Sequence, residues 1–67
     1  MNVQAELALD LLNHYQGCLI NQPEKAEMLN IAIDKYIAIL HRNNVDVSLD
    51  ERANIWRIVE EKGQSNA

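Results

Sequence analysis

The 67-residue sequence has one cysteine, one proline and two glycines, and its six lysines and arginines are outnumbered by ten aspartates and glutamates. Each shortage excludes something. With Cys18 alone there is no disulfide to staple the chain, and a lone thiol fits a reducing compartment, the cytoplasm, better than a secreted scaffold. The net charge is −4, and Lys25, Lys35, Arg42, Arg52, Arg57 and Lys62 are scattered singly. Nucleic-acid binding rests on clustered cations that neutralise phosphates, so this balance argues against it. The start, MNVQAELALDLL, has no basic segment and is broken by Gln4, Glu6 and Asp10, unlike a signal peptide. No run approaches the ~20 apolar residues of a membrane span.

Chemistry-bearing motifs are also missing. There is no Cys-x-x-Cys, no second Cys-His pair and no glycine-rich phosphate loop. Asp10, His14 and Cys18 recur every four residues, and that spacing alone reads as an exposed ion pair beside a half-buried thiol. The expectation is a protein that is not an enzyme and takes no metal and no cofactor.

What is present is helix-forming sequence with few interruptions. Asn2 can cap a first helix over about 3–20, where Ala5, Ala8, Leu12, Tyr15 and Leu19 fall in one stripe. Leu7, Leu11 and Cys18 flank that stripe on one side, and Leu9 and Ile20 flank it on the other. Asn21-Gln22-Pro23 ends this helix and starts a second over about 23–42, since proline suits the first helical position. Its stripe is Ala26, Leu29, Ile33, Tyr36, Ile37 and Leu40, widened by Met28, Ala32 and Ile39. So short a link predicts an antiparallel helical hairpin. Asn43-Asn44 is a plausible stop, because asparagine tolerates the left-handed conformation. Ser48-Leu49-Asp50-Glu51 matches a capping box and predicts a shorter third helix over about 49–62, closed by Gly63, with Leu49, Ala53, Trp56 and Val59 on one face. Residues 64–67 are expected to be a disordered tail.

The fold expected from these signals is all-α, a single helical domain over 1–63. In residues 28–40, MLNIAIDKYIAIL, ten of thirteen positions are apolar. A helix packed on one neighbour needs an apolar stripe somewhat over 100° wide, and the first two helices carry roughly 180° or more. A second copy of the chain is the economical cover, completing a helical bundle as a homo-oligomer, with a dimer favoured. The candidate protein-interaction residues are Leu7, Leu11, Met28, Ile31, Ile39 and Ile58. Ile31 and Ile58 are singled out because they leave the main stripes.

The function expected is a small non-enzymatic protein-interaction module, namely an adaptor, inhibitor or chaperone-like regulatory subunit with an unknown protein partner. The alternative is a small DNA-binding regulator whose third helix, with Arg52 and Arg57, enters a groove. Residues 29–37, LNIAIDKYI, faintly resemble the second helix of the small sporulation-regulating phosphatases of Gram-positive bacteria. Of that family's Ser-Gln-Glu-Leu-Asp motif only Asp34 is matched, with Ile33 in place of leucine. The resemblance implies a phosphatase-like regulator as a second alternative.

Overall fold

The computed structural model describes residues 2–62. They form α1 (Val3–Asn21), a 3₁₀ turn (Pro23–Lys25), α2 (Ala26–Arg42), β1 (Val45–Asp50) and β2 (Ile55–Glu61). The chain is therefore α+β, and the all-α bundle is overturned: a β-hairpin stands where the third helix was expected. The expected stop at Gly63 and the tail 64–67 lie outside the described residues.

The two helices form where their signals lie. The Asn2 carboxamide oxygen accepts from the Ala5 N–H at 2.8 Å and caps α1. At the end of α2, the Asn43 side chain donates to the Ile39 carbonyl at 2.8 Å, and Asn44 takes the left-handed conformation with φ 63°. Asn2 also donates to the Asn43 carboxamide oxygen at 2.8 Å, which ties the start of α1 to the end of α2.

The hairpin has its own sequence logic. Val45, Val47 and Leu49 alternate with Asp46, Ser48 and Asp50, a period of two that suits a half-buried strand. Ile55, Trp56, Ile58 and Val59 are β-branched or aromatic, which favours strand over helix. Strand β1 pairs antiparallel with β2, with Leu49 opposite Trp56 and Val47 opposite Ile58. The expected capping box does not form. Asp50, rather than Ser48, turns the chain: its Oδ1 accepts from the N–H groups of Arg52 (3.1 Å) and Ala53 (3.4 Å). The Asp50 carbonyl then accepts from the Asn54 N–H at 2.7 Å, and Asn54 sits at φ 56°. A left-handed residue ends any helix after one turn. The helix-based face of Leu49, Ala53, Trp56 and Val59 is dissolved as well. A bulge places Val59 between Ile58, opposite Val47, and Glu60, opposite Asp46, and Val59 is 66% exposed.

The core lies between the helices and under one face of the hairpin. Ala5, Ala8 and Leu12 of α1 meet Ile33 and Leu40 of α2 and Val45 of β1. Val47 and Trp56 pack against this group, with β1 lying along α2 and β2 along α1.

The turn carries a pH prediction. Asp50 Oδ2 accepts from Arg57 Nε at 3.0 Å, and this bond, with the two main-chain N–H groups, holds the carboxyl below its ordinary value near 3.8. The folded value is depressed, so the contribution to stability is present above the unfolded value and lost as pH falls through the folded one. The turn is expected to loosen only below about pH 4. Carboxyl-detected NMR titration should show Asp50 titrating low, and Arg57→Gln should move its midpoint upward. An unmoved midpoint would show that the pair does not form in solution.

Candidate interaction face

The β-hairpin covers one face of the helix pair. Asn13 of α1 reaches the backbone of β2: its Oδ1 accepts from the Trp56 N–H at 2.6 Å and its Nδ2 donates to the Trp56 carbonyl at 3.1 Å. One side-chain amide thus satisfies both main-chain groups of a strand residue, as a neighbouring strand would. Gln16, one turn on and buried, accepts from the indole Nε1 of Trp56 at 3.0 Å. On α2 the hairpin side is marked by His41, whose Nε2 lies 3.7 Å from Asp46.

The opposite face has no such cover among the described residues. At 100° per residue, Leu7, Leu11 and Cys18 lie about 150–170° around α1 from the Asn13–Gln16 side. Met28, Ala32 and Ile39 lie about 140–180° around α2 from His41. The rings of Tyr15 and Tyr36 stack across the helix pair on this side, 5.7 Å between centroids and 12° between planes. Leu7 is 57% and Met28 61% exposed, while Leu11, Tyr15, Cys18, Ala32, Tyr36 and Ile39 are half-buried. A shallow recess lined by Gln4, Ile39, Arg42 and Asn43 opens at one end of the same face. Such a continuous apolar strip centred on two stacked tyrosines offers area, aromatic anchors and polar tips to a protein surface.

The structure brings four of the six candidate residues together here: Leu7, Leu11, Met28 and Ile39. Ile31 is 69% exposed and sits further round α2, about 60° past Met28. Ile58 is elsewhere. Strand alternation puts it beside Trp56 on the inner face of the hairpin, where it is 37% exposed. Its outward position on a helical wheel was a product of the wrong period. Tyr15 and Tyr36, which the sequence places on the main stripes of their helices, do pack against the core, and being half-buried they also border this face.

His14 Nε2 lies 3.8 Å from Cys18 Sγ at the edge of this face. No group of three or more His, Cys, Asp or Glu side chains is placed to hold a metal among the described residues. No helix there is long and apolar enough to cross a membrane. Residues 49–62 hold no helix to enter a DNA groove, and Arg57 is engaged by Asp50. Comparison with family models, curated proteins and solved structures finds no match.

Proposed function

We propose that this chain is a small non-enzymatic protein-interaction module, an adaptor or regulatory subunit that acts as a homo-oligomer in the cytoplasm. The observation that carries the reading is the uncovered strip of Leu7, Leu11, Tyr15, Tyr36, Met28 and Ile39, on the side of the helix pair away from the hairpin. Two helices present it as one rigid surface, and burying it removes apolar area from water at about 25 cal/mol per Å². The lone Cys18 on the same face suits a compartment that keeps thiols reduced.

The test is sedimentation of the full chain at tens of micromolar. Wild type is expected to sediment as a dimer, about twice the 7.7 kDa of one chain. The double variant Leu7→Glu, Met28→Glu is expected to be monomeric with an unchanged helical signal, because both side chains are more than half exposed within one chain. A wild-type monomer at that concentration would overturn the homo-oligomeric reading.

A further inference from the structure

We infer that the outer edge of β1 is a docking site for an extended, lysine- or arginine-bearing segment of another protein, which adds to the hairpin as a third strand. This surface is separate from the uncovered strip, so it goes beyond the interaction-module reading and is tested apart from the homo-oligomeric one. The observation is the state of the main chain on the two edges of the ribbon. In an antiparallel ladder, opposed residues alternate between pairs that exchange both main-chain bonds and pairs that turn both groups outward. The N–H and carbonyl of Trp56 are held by Asn13, so they point away from β1. Leu49, opposite Trp56, therefore turns its own N–H and carbonyl out of the other edge. Val47, two residues earlier and opposite Ile58, does the same. No hydrogen bond reaches these groups among the described residues. Val47 and Leu49 are half-buried, whereas Val45, at 1% exposure, is closed to a partner. One edge of the ribbon is thus occupied by α1 at Trp56, and the other presents two donors and two acceptors at strand spacing. Strand addition uses such an edge, with main-chain bonds supplying affinity and alternate side chains supplying specificity.

The chemistry of the occupant follows from the flank of α2 that this edge overlooks. His41, beside Asp46 at 3.7 Å, marks that flank. Asp34 and Glu27 lie about 20° and 40° round α2 from His41, on the same side. Asp34 stands two turns before His41, about 10 Å along the helix. Leu49 stands three residues after Asp46, about 10 Å along the strand. Strand β1 runs back along α2, so Asp34 is roughly level with Leu49. Both carboxylates are exposed, and neither makes an ion pair among the described residues. The cations of the same helix, Lys35 and Arg42, lie about 80–100° further round from Asp34. On the outer face of the hairpin, Asp46 already meets His41 and Lys62, and Asp50 meets Arg57. In the turn, Glu51 and Arg52 offset each other in charge. An added strand directs every second side chain down over the α2 flank. Lysine or arginine at those positions meets Asp34, and Glu27 beyond it. A second copy of β1 is a poorer occupant. Antiparallel pairing through Val47 and Leu49 sets Asp46 opposite Asp50 twice, and like charges directly opposite are destabilising.

Titration of the full chain with short capped peptides, followed by amide NMR, tests the site. The probes are Lys-Val-Lys-Thr-Lys-Val-Lys, its counterpart with glutamate at every lysine, and the lysine peptide N-methylated at its two central lysines. In the proposed pairing those central N–H groups face the β1 edge, and methylation removes them without changing charge. The lysine peptide is expected to bind, and at saturation amide exchange at Val47 and Leu49 should slow about tenfold, as new main-chain bonds require. Ser48, already paired within the ladder, should change little. The N-methylated peptide should bind about tenfold or more weakly. The glutamate peptide should also bind about tenfold or more weakly. Asp34→Lys, an exposed change expected to leave circular dichroism intact, should weaken the lysine peptide about threefold or more. Equal binding of the methylated and unmethylated lysine peptides would mean charge attraction without an added strand, and would overturn the proposal. Equal binding of the glutamate and lysine peptides would overturn the basic occupant. No binding of any peptide at millimolar concentration would show that the edge is not a docking site. Sedimentation of the free chain decides the homo-oligomeric reading separately from all of these.

Discussion

Ile33→Glu should abolish the folded state. Ile33 is 5% exposed and sits between the helices with Ala5, Leu12 and Leu40. A carboxylate there has no cation or donor to meet, and an unpaired buried charge costs several kcal/mol even after the protein relaxes. Against that stands a stability of about 3–10 kcal/mol for a chain of this length, at roughly 0.05–0.15 kcal/mol per residue. The core has little in reserve. Among the described residues only Leu12, Leu40 and Val45 are large side chains under 2% exposed. Far-ultraviolet circular dichroism at 25 °C should lose most of its helical signal. Ile31→Glu, two residues away and 69% exposed, should shift a urea midpoint by no more than the ~0.5 kcal/mol typical of surface changes. A cooperative, near-wild-type melt for Ile33→Glu would mean that α2 does not turn this face to α1.

Asn13→Ala is expected to release the hairpin while sparing the helices. The substitution strips partners from the Trp56 N–H and carbonyl together, at about 1–1.5 kcal/mol for each bond. The hairpin would then hold to α1 mainly through the Trp56 indole on Gln16 and the packing of Val47 and Trp56. Trp56 is the only tryptophan, so its emission reports the event directly. A red shift is expected, with faster amide exchange over 55–61 and little change in α1 or α2. Asn13→Asp sharpens the test. Its oxygen can still accept from the N–H, but the other oxygen faces a carbonyl that needs a donor. It should therefore fail to rescue, despite near-identical shape. Unchanged emission and midpoint in both variants would show that the two-point bond contributes nothing in solution.

The helices were legible because their signals are local and redundant. Asn2, Pro23 and Asn44 mark ends, and the apolar spacing between them fits a period of 3.6 throughout. The hairpin was not, because a four-residue motif at Ser48–Glu51 outweighed the alternation from Val45 to Asp50. A capping box and a β-turn begin alike, with a side-chain oxygen over the next free N–H groups. What separates them is the residue four positions on, and Asn54 takes a conformation that stops a helix. Ile58 carried the warning. A helix left it stranded on the polar side, whereas a strand seats it beside Trp56 and across from Val47. The face was half legible: the wide apolar arcs were visible in the sequence, but not that a hairpin packs on one side of them, which leaves Leu7, Met28 and Ile31 exposed. Leu9 and Ile37 pack against the core, and Gln16 is bonded by the Trp56 indole of the hairpin.

Asn13 also has a bearing on how this protein stays in solution. A two-stranded ribbon has two open edges, and each is a template on which a strand of another molecule can add. At Trp56 the outward N–H and carbonyl of β2 are already taken by a side chain that adds nothing further to the ladder. Beyond it the bulge at Val59 breaks the register, and Glu60 and Glu61 bring like charges to any identical strand that approaches. The helix thus acts as a stopper on the growing side of a sheet, and the chain can carry a Val- and Ile-rich ribbon without inviting fibre growth along that edge.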